Sequence, residues 1–272
     1  MTERTHVLPR APIAPELPHR YGPRVHIANN AYLSSLIAHV GSPTARNPQI
    51  VEMVRTVYRH LIATAAGAEL PRSVRRVETR MASAHPEEGY FHGPLLDPQA
   101  RVVIVDVMRG GIVPSQVCFE MLTSVLPDDQ VRLDHLTCSR LTDAEGQVLG
   151  AELRGSKIGG SIEDAYLIVP DPMGATGSTI VETLKYLRAH YGTPARVILL
   201  PMIATPEFLR CVLDLSEDLV VYTARLDRGL SPPEVLSALP GEHWDRERGL
   251  DDKAYIVPGA GGVGEVLNNS YC

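Results

Sequence analysis

The chain has 272 residues, 44% hydrophobic and 21% charged, proportions ordinary for a globular fold and far from those of disordered or collagen-like chains. Its 26 Lys and Arg against 32 Asp and Glu give a net charge of −6, with no basic block; this argues against nucleic-acid and membrane-surface partners while leaving small anionic ligands open. Four scattered cysteines, Cys118, Cys138, Cys211 and Cys272, form no C-x-x-C pair, so neither a zinc site nor a disulfide framework is expected, and the thiols read as reduced in a cytoplasmic protein.

Residues 1–24 carry Pro9, Pro12, Pro15, Pro18 and Pro23 and no apolar leader; the spacing forbids helix and predicts an extended arm, disordered or wrapped on a partner subunit. The rest, 25–272, reads as one domain. Asn47 is placed to cap a helix with Pro48 at its first position, and Ile50, Val54, Val57 and Leu61 recur at helical spacing before Gly67, predicting an amphipathic helix over 47–66. His85 and His92 flank Tyr90 and Phe91 in what reads as a loop.

After residue 100, β-branched runs at 101–107, 131–138, 165–171, 195–202 and 218–224 alternate with helical patterns at 114–125, 178–190 and 206–215. Near-continuous Val, Ile and Leu are expected where helices cover both faces of a parallel sheet, so the predicted class is α/β, an open and mainly parallel β-sheet flanked by helices. The polar, Gly-rich stretch 140–164 is too long for a simple connection and reads as a flexible lid. Residues 229–254, with Trp244 and three prolines, read as an irregular insertion.

The run YLIVPDPMGATGST, 166–179, takes a predicted buried strand into Asp171 and then into side chains too small to fill space. In open parallel sheets ligands bind beyond the carboxyl ends of the strands, where Asp171 falls. Small residues let the backbone close around an anion, and the helix predicted from 178 adds its free amides and positive dipole end. The stretch lacks the Lys of a Walker A loop. GAGGVG, 259–264, matches G-x-G-x-x-G, but only eight residues follow it, too few for a crossover helix and second strand, so a dinucleotide fold is rejected.

DPMGATGST resembles the phosphoribosyl-pyrophosphate signature of type I phosphoribosyltransferases, in the form found in uracil phosphoribosyltransferases. Further segments are similar in the family's order: VVIVDVMRGGIVPS to its V-P-I-L-R-A-G-L loop, CSRLTDAEGQ to the stretch that opens its lid, VVYTARLDRGL to V-Y-T-A-x-x-D-x-x-L, and AYIVPGAGGVGE to its base-recognition loop. The resemblance implies transfer of phosphoribose from 5-phosphoribosyl 1-pyrophosphate to uracil or a related base, with Mg2+ held through pyrophosphate and water rather than by protein ligands, in a homodimer or larger assembly.

It also implies the site. Asp171, Arg109 and Arg140 would carry the chemistry, Arg109 and Arg140 on pyrophosphate and Asp171 on the ribose hydroxyls. Pro172, Met173, Gly174, Ala175, Thr176, Gly177, Ser178 and Thr179 would surround the 5′-phosphate, with Gly110 beside the pyrophosphate. Tyr255, Ile256, Gly261, Gly262 and Val263, in the loop 255–265, would meet the base, and Lys157 would belong to the lid. Gly262 and Glu265 stand where the family has two acids, so the same chemistry on another heterocycle stays open, as does a non-catalytic nucleotide sensor. Asp227 reads as a brace at the end of its strand.

Overall fold

The computed structural model describes residues 15–142 and 148–270. In chain order the elements are β1 (Val25–Ile27), α1 (Ala31–Val40), α2 (Gln49–Glu69), β2 (Arg72–Glu78), β3 (Tyr90–Leu96), β4 (Val102–Met108), α3 (Ile112–Thr123), β5 (Val131–Thr142), β6 (Val148–Lys157), β7 (Tyr166–Gly174), α4 (Ser178–Tyr191), β8 (Arg196–Ala204), α5 (Pro206–Leu213), β9 (Leu219–Thr223), β10 (Arg225–Leu226), α6 (Pro233–Ser237) and α7 (Val263–Asn268). The main sheet runs β1-β9-β8-β7-β4-β5-β6, with β10 beside β8. Every pairing in it is parallel except β5 with β6.

Alternation along the strands divides the core, because successive side chains point to opposite faces. Ile104, Ile168, Ile198 and Val220 pack with Val54, Val57 and Leu61 of α2 and with Val117 of α3. Val103, Leu167, Leu199 and Val221 pack on the other face with Ile180, Leu184 and Leu187 of α4 and Leu209 of α5. Burial on both faces explains the unbroken apolar runs.

Several expectations are corrected. Asn47 does not cap α2: its Nδ2 donates to the Val266 carbonyl at 2.7 Å and to Asn269 Oδ1 at 3.0 Å, and the helix starts two residues later and runs through Gly67. An Ala-rich last turn tolerates the glycine, which costs about 1 kcal/mol in a helix interior. The segment around His85 and His92 is not all loop, since β2 and β3 form an antiparallel hairpin there, pairing Arg76 with His92.

Among the described residues of 140–164, 140–142 and 148–157 are strand. β6 lies antiparallel on β5, with register shifts after Thr137 and Leu141. Leu149, Ala151 and Leu153 alternate with small or polar neighbours in the sequence, and pairing satisfies a backbone that a bare loop would leave to water. The tip of the predicted lid, 143–147, lies outside the described residues, as does the arm over 1–14. Residues 15–24 lie on the chain itself: the Leu17 amide donates to the Ile27 carbonyl and the Arg20 amide to the Pro240 carbonyl.

Candidate active site

The C-terminal ends of β4 and β7 and the middle of β5 open onto one cleft of about 810 Å³. Most of its wall comes from three separate stretches, Val107–Gly110, Asp171–Ile180 without Gly174, and Ala254–Ile256 with Gly261–Glu265, and Thr137, Cys138 and Phe208 complete it. Residues about 150 apart in sequence meet here because parallel strands deliver their following loops to one edge of the sheet.

Asp171, expected past the strand end, lies within β7, which runs on to Gly174; it is half-buried, and its Oδ1 accepts the Met173 amide at 3.1 Å. Gly174 is small for packing rather than for ligand access: a Cβ there would lie 3.0 Å from Pro201 Cβ and 3.1 Å from Phe208 Cγ, and the residue does not line the cleft. Ala175, among the residues expected around the 5′-phosphate, donates its amide to the Met173 carbonyl at 2.9 Å. Thr176, Gly177, Ser178 and Thr179 line the cleft. Gly177 has φ +84°, and a Cβ on it would sit 3.0 Å from Cys211 Sγ, so the left-handed turn into α4 requires glycine. That turn presents the amides of the first turn of α4, which have no partners within the helix.

Opposite stands the loop after β4. Arg109 lines the cleft, and its Nη1 donates to the Ser270 carbonyl at 3.1 Å and to Ser270 Oγ at 2.6 Å. A Cβ on Gly110 would touch Pro172 Cγ at 3.3 Å, so the two loops are in contact. A Cβ on Gly111 would fall 2.7 Å from Asp106 Oδ1. Asp106 is buried beneath this loop, with Oδ2 on His135 Nδ1 at 2.9 Å; burial pushes its carboxyl up, against the pull of His135.

The third wall is clamped from β10. Arg225 binds Asp227 in a fork, with both contacts at 2.7 Å, and Asp227 Oδ2 accepts the Gly259 amide at 2.8 Å. The pair is thus fixed on the loop that carries Gly261 and Gly262. Asp227, directly after β10, braces a strand end as expected; Arg225, at the start of β10, escaped the sequence reading. A Cβ on Gly262 would meet Glu265 Oε2 at 2.5 Å, so a side chain there would require the flexible Glu265 carboxylate to move.

Arg140 is in β5, opposite Ala151, and its side chain lies outside the described residues. Lys157, at the end of β6, is exposed and does not line the cleft. Cys138 was not expected in the site and lines it; burial raises its thiol pKa, opposed by a hydrogen bond from Thr183 and aided by the charges of Asp171 and Glu182. Among the described residues no cluster of three or more His, Cys, Asp or Glu could hold a metal ion, and no helix is long and apolar enough to cross a membrane.

A mostly parallel sheet flanked by helices, with these loops gathered at its strand ends, places the chain in the class of type I phosphoribosyltransferases. The family model described as uracil phosphoribosyltransferase matches residues 27–247. A uracil phosphoribosyltransferase from Thermosipho africanus is 31% identical over 207 residues, covering 76% of this chain and 80% of that protein. One from Burkholderia thailandensis is 24% identical over 245 residues, covering 90% and 94%. The solved structure of the AQ2163 protein from Aquifex aeolicus shares the fold with a TM-score of 0.67 at 19% identity, covering 89% of this chain and 97% of that one. The chain belongs to the uracil phosphoribosyltransferase family, a family of pentosyltransferase enzymes.

Proposed function

We propose that the protein transfers phosphoribose from 5-phosphoribosyl 1-pyrophosphate to uracil, giving UMP and pyrophosphate. The observation that carries this reading is the convergence of the Asp171–Thr179 stretch, the Arg109 loop and the 254–265 loop on one cleft, large enough for both substrates.

The 5′-phosphate would sit at the start of α4, on the amides of Thr176, Gly177 and Ser178 and the hydroxyls of Thr176 and Thr179, where the helix dipole adds to the attraction. Asp171 would hold the ribose hydroxyls, and its charge would favour the positive character that develops on the ring as the bond to pyrophosphate lengthens. Arg109, joined by Arg140, would take the charge building on departing pyrophosphate through forked hydrogen bonds. The reaction needs positioning and charge complementarity, not a protein nucleophile. Asp171 and Glu265 line the cleft, and Mg2+ carried there by substrate oxygens would keep most of its water and need few protein ligands. Bound there, Mg2+ would neutralise charge on the pyrophosphate.

Base recognition would fall to main-chain groups of Ile256, Gly261 and Val263, with Tyr255 and Gly262 beside them. Backbone recognition depends on the loop being held still, which the contact of Asp227 with Gly259 provides. The β5–β6 arm would cover the reacting centre and exclude water, which otherwise competes as nucleophile. A homodimer or larger assembly is part of the same proposal; the hairpin of β2 and β3 exposes Val74, Val77 and Phe91, apolar surface that a second copy could cover.

The test is pyrophosphate release from 5-phosphoribosyl 1-pyrophosphate and Mg2+ with uracil, cytosine, hypoxanthine, adenine or no base. Release with uracil alone is expected. Release with a different base alone would retain the chemistry and reject the substrate, and silence with all of them would reject the enzyme.

A further inference from the structure

Chain direction after α7 is set by a tight cap. Asn269 takes the left-handed conformation at φ 47°, which asparagine tolerates better than most residues, and the Ser270 amide returns to the Glu265 carbonyl at 3.1 Å, closing the helix end in the manner of a Schellman turn. Asn47 holds this end from outside, through the Val266 carbonyl and Asn269 Oδ1. Ser270 is therefore a fixed point, and both its carbonyl and its hydroxyl receive Arg109 Nη1. Asn268 strengthens the junction: its Nδ2 donates to the Gly264 carbonyl at 2.7 Å and reaches the Arg109 carbonyl at 3.4 Å. At Gly264 a Cβ would lie 3.4 Å from the Gly110 amide nitrogen, so the two loops pass backbone to backbone.

We propose that Ser270 is a positioning residue for Arg109: the turn that ends α7 aims the guanidinium at the cleft before the pyrophosphate group arrives. This rests on the reading of Arg109 as a pyrophosphate contact. A long arginine side chain carries considerable rotamer entropy, and fixing it beforehand lowers the cost of ordering it on binding. The same turn leaves the helix that follows the base loop, so the C-terminal segment ties the pyrophosphate side of the cleft to the base side.

The experiment is calorimetric titration of 5-phosphoribosyl 1-pyrophosphate with Mg2+ into the full chain and into Ser270→Ala, Ser270→Thr, Arg109→Ala and the double variant Arg109→Ala/Ser270→Ala. Ser270→Ala is expected to weaken binding about tenfold, the factor set by losing one hydrogen bond to a charged group. Ser270→Thr, which keeps the hydroxyl, should bind like the unsubstituted chain. In the Arg109→Ala background Ser270→Ala should add nothing, because an effect carried through Arg109 disappears with it. KM for the base should not move. Unchanged binding in Ser270→Ala, or the same loss in both backgrounds, overturns the inference while leaving the reading of the site intact. No binding by the unsubstituted chain overturns that reading and the inference together.

Discussion

Asp171→Asn is expected to lower kcat/KM about 100-fold, the size of effect produced when one group that stabilises transition-state charge is lost, about 3 kcal/mol. The substitution keeps the shape, and the side-chain oxygen can still accept the Met173 amide at Oδ1, so the thermal midpoint should stay near that of the unsubstituted chain. What disappears is the negative charge at the mouth of β7. A second reading follows from Cys138, whose thiol is held up first by burial and then, among other groups, by the charge of Asp171. In Asp171→Asn its pKa should fall, and alkylation by iodoacetamide at fixed pH should quicken. Loss of turnover with faster alkylation and unchanged melting would assign the effect to charge. Turnover close to that of the unsubstituted chain would remove Asp171 from the chemistry.

Glu247→Ala is expected to cost about 3–5 kcal/mol of stability, the range for removing one partner of a buried ion pair, and to lower the thermal midpoint by on the order of 10 °C. Glu247 is fully buried. Its Oε1 takes Arg228 Nη1 at 2.8 Å and the Gly241 amide at 2.9 Å, and its Oε2 takes the Tyr21 hydroxyl. Burial and the hydrogen bond to Glu247 together hold that hydroxyl well above the usual phenol range. Arg228 in turn donates to the carbonyls of Val235, Leu236 and Ala238. Without the carboxylate, Arg228 becomes a buried charge with one fewer partner, and the Tyr21 hydroxyl loses its acceptor in the stretch 229–254. The consequence reaches function, because the Gly229 amide donates to the Val257 carbonyl and the Val257 amide to the Gly249 carbonyl. KM for the base should therefore rise as the base loop loosens. Scanning calorimetry and steady-state kinetics on this variant check both; a midpoint within 2 °C of the unsubstituted chain would contradict the account.

The strands and helices after residue 100 were legible because a sheet covered on both faces writes itself as apolar runs, and every one of the five predicted strands and three predicted helices lies within a few residues of an observed element. The stretch 171–179 was legible for a different reason: acid, proline and small residues have few uses at the carboxyl end of a buried strand. β6 was missed because glycine and polar residues dominate it, and its pairing with β5 is settled by neighbouring backbone rather than by local preference. α1 was missed although Asn30 caps it, with Oδ1 on the Tyr32 and Leu33 amides, and Leu33, Ile37 and Val40 mark its buried face.

Within the site, sequence pattern located the walls but not their internal economy. Gly174 and Gly177 are both small residues of one motif, yet Phe208 and Pro201 require the first while a left-handed turn requires the second. Glu265 lying beside Gly262, and Ser270 receiving Arg109, depend on how a six-residue helix closes. No spacing rule encodes that closure.

The most direct measurement is formation of UMP, identified by mass spectrometry, from isotope-labelled uracil and 5-phosphoribosyl 1-pyrophosphate in the presence of Mg2+. The account predicts labelled UMP in step with pyrophosphate release, abolished when uracil or Mg2+ is withheld. Absence of labelled UMP at substrate concentrations where 5-phosphoribosyl 1-pyrophosphate saturates the protein would contradict it.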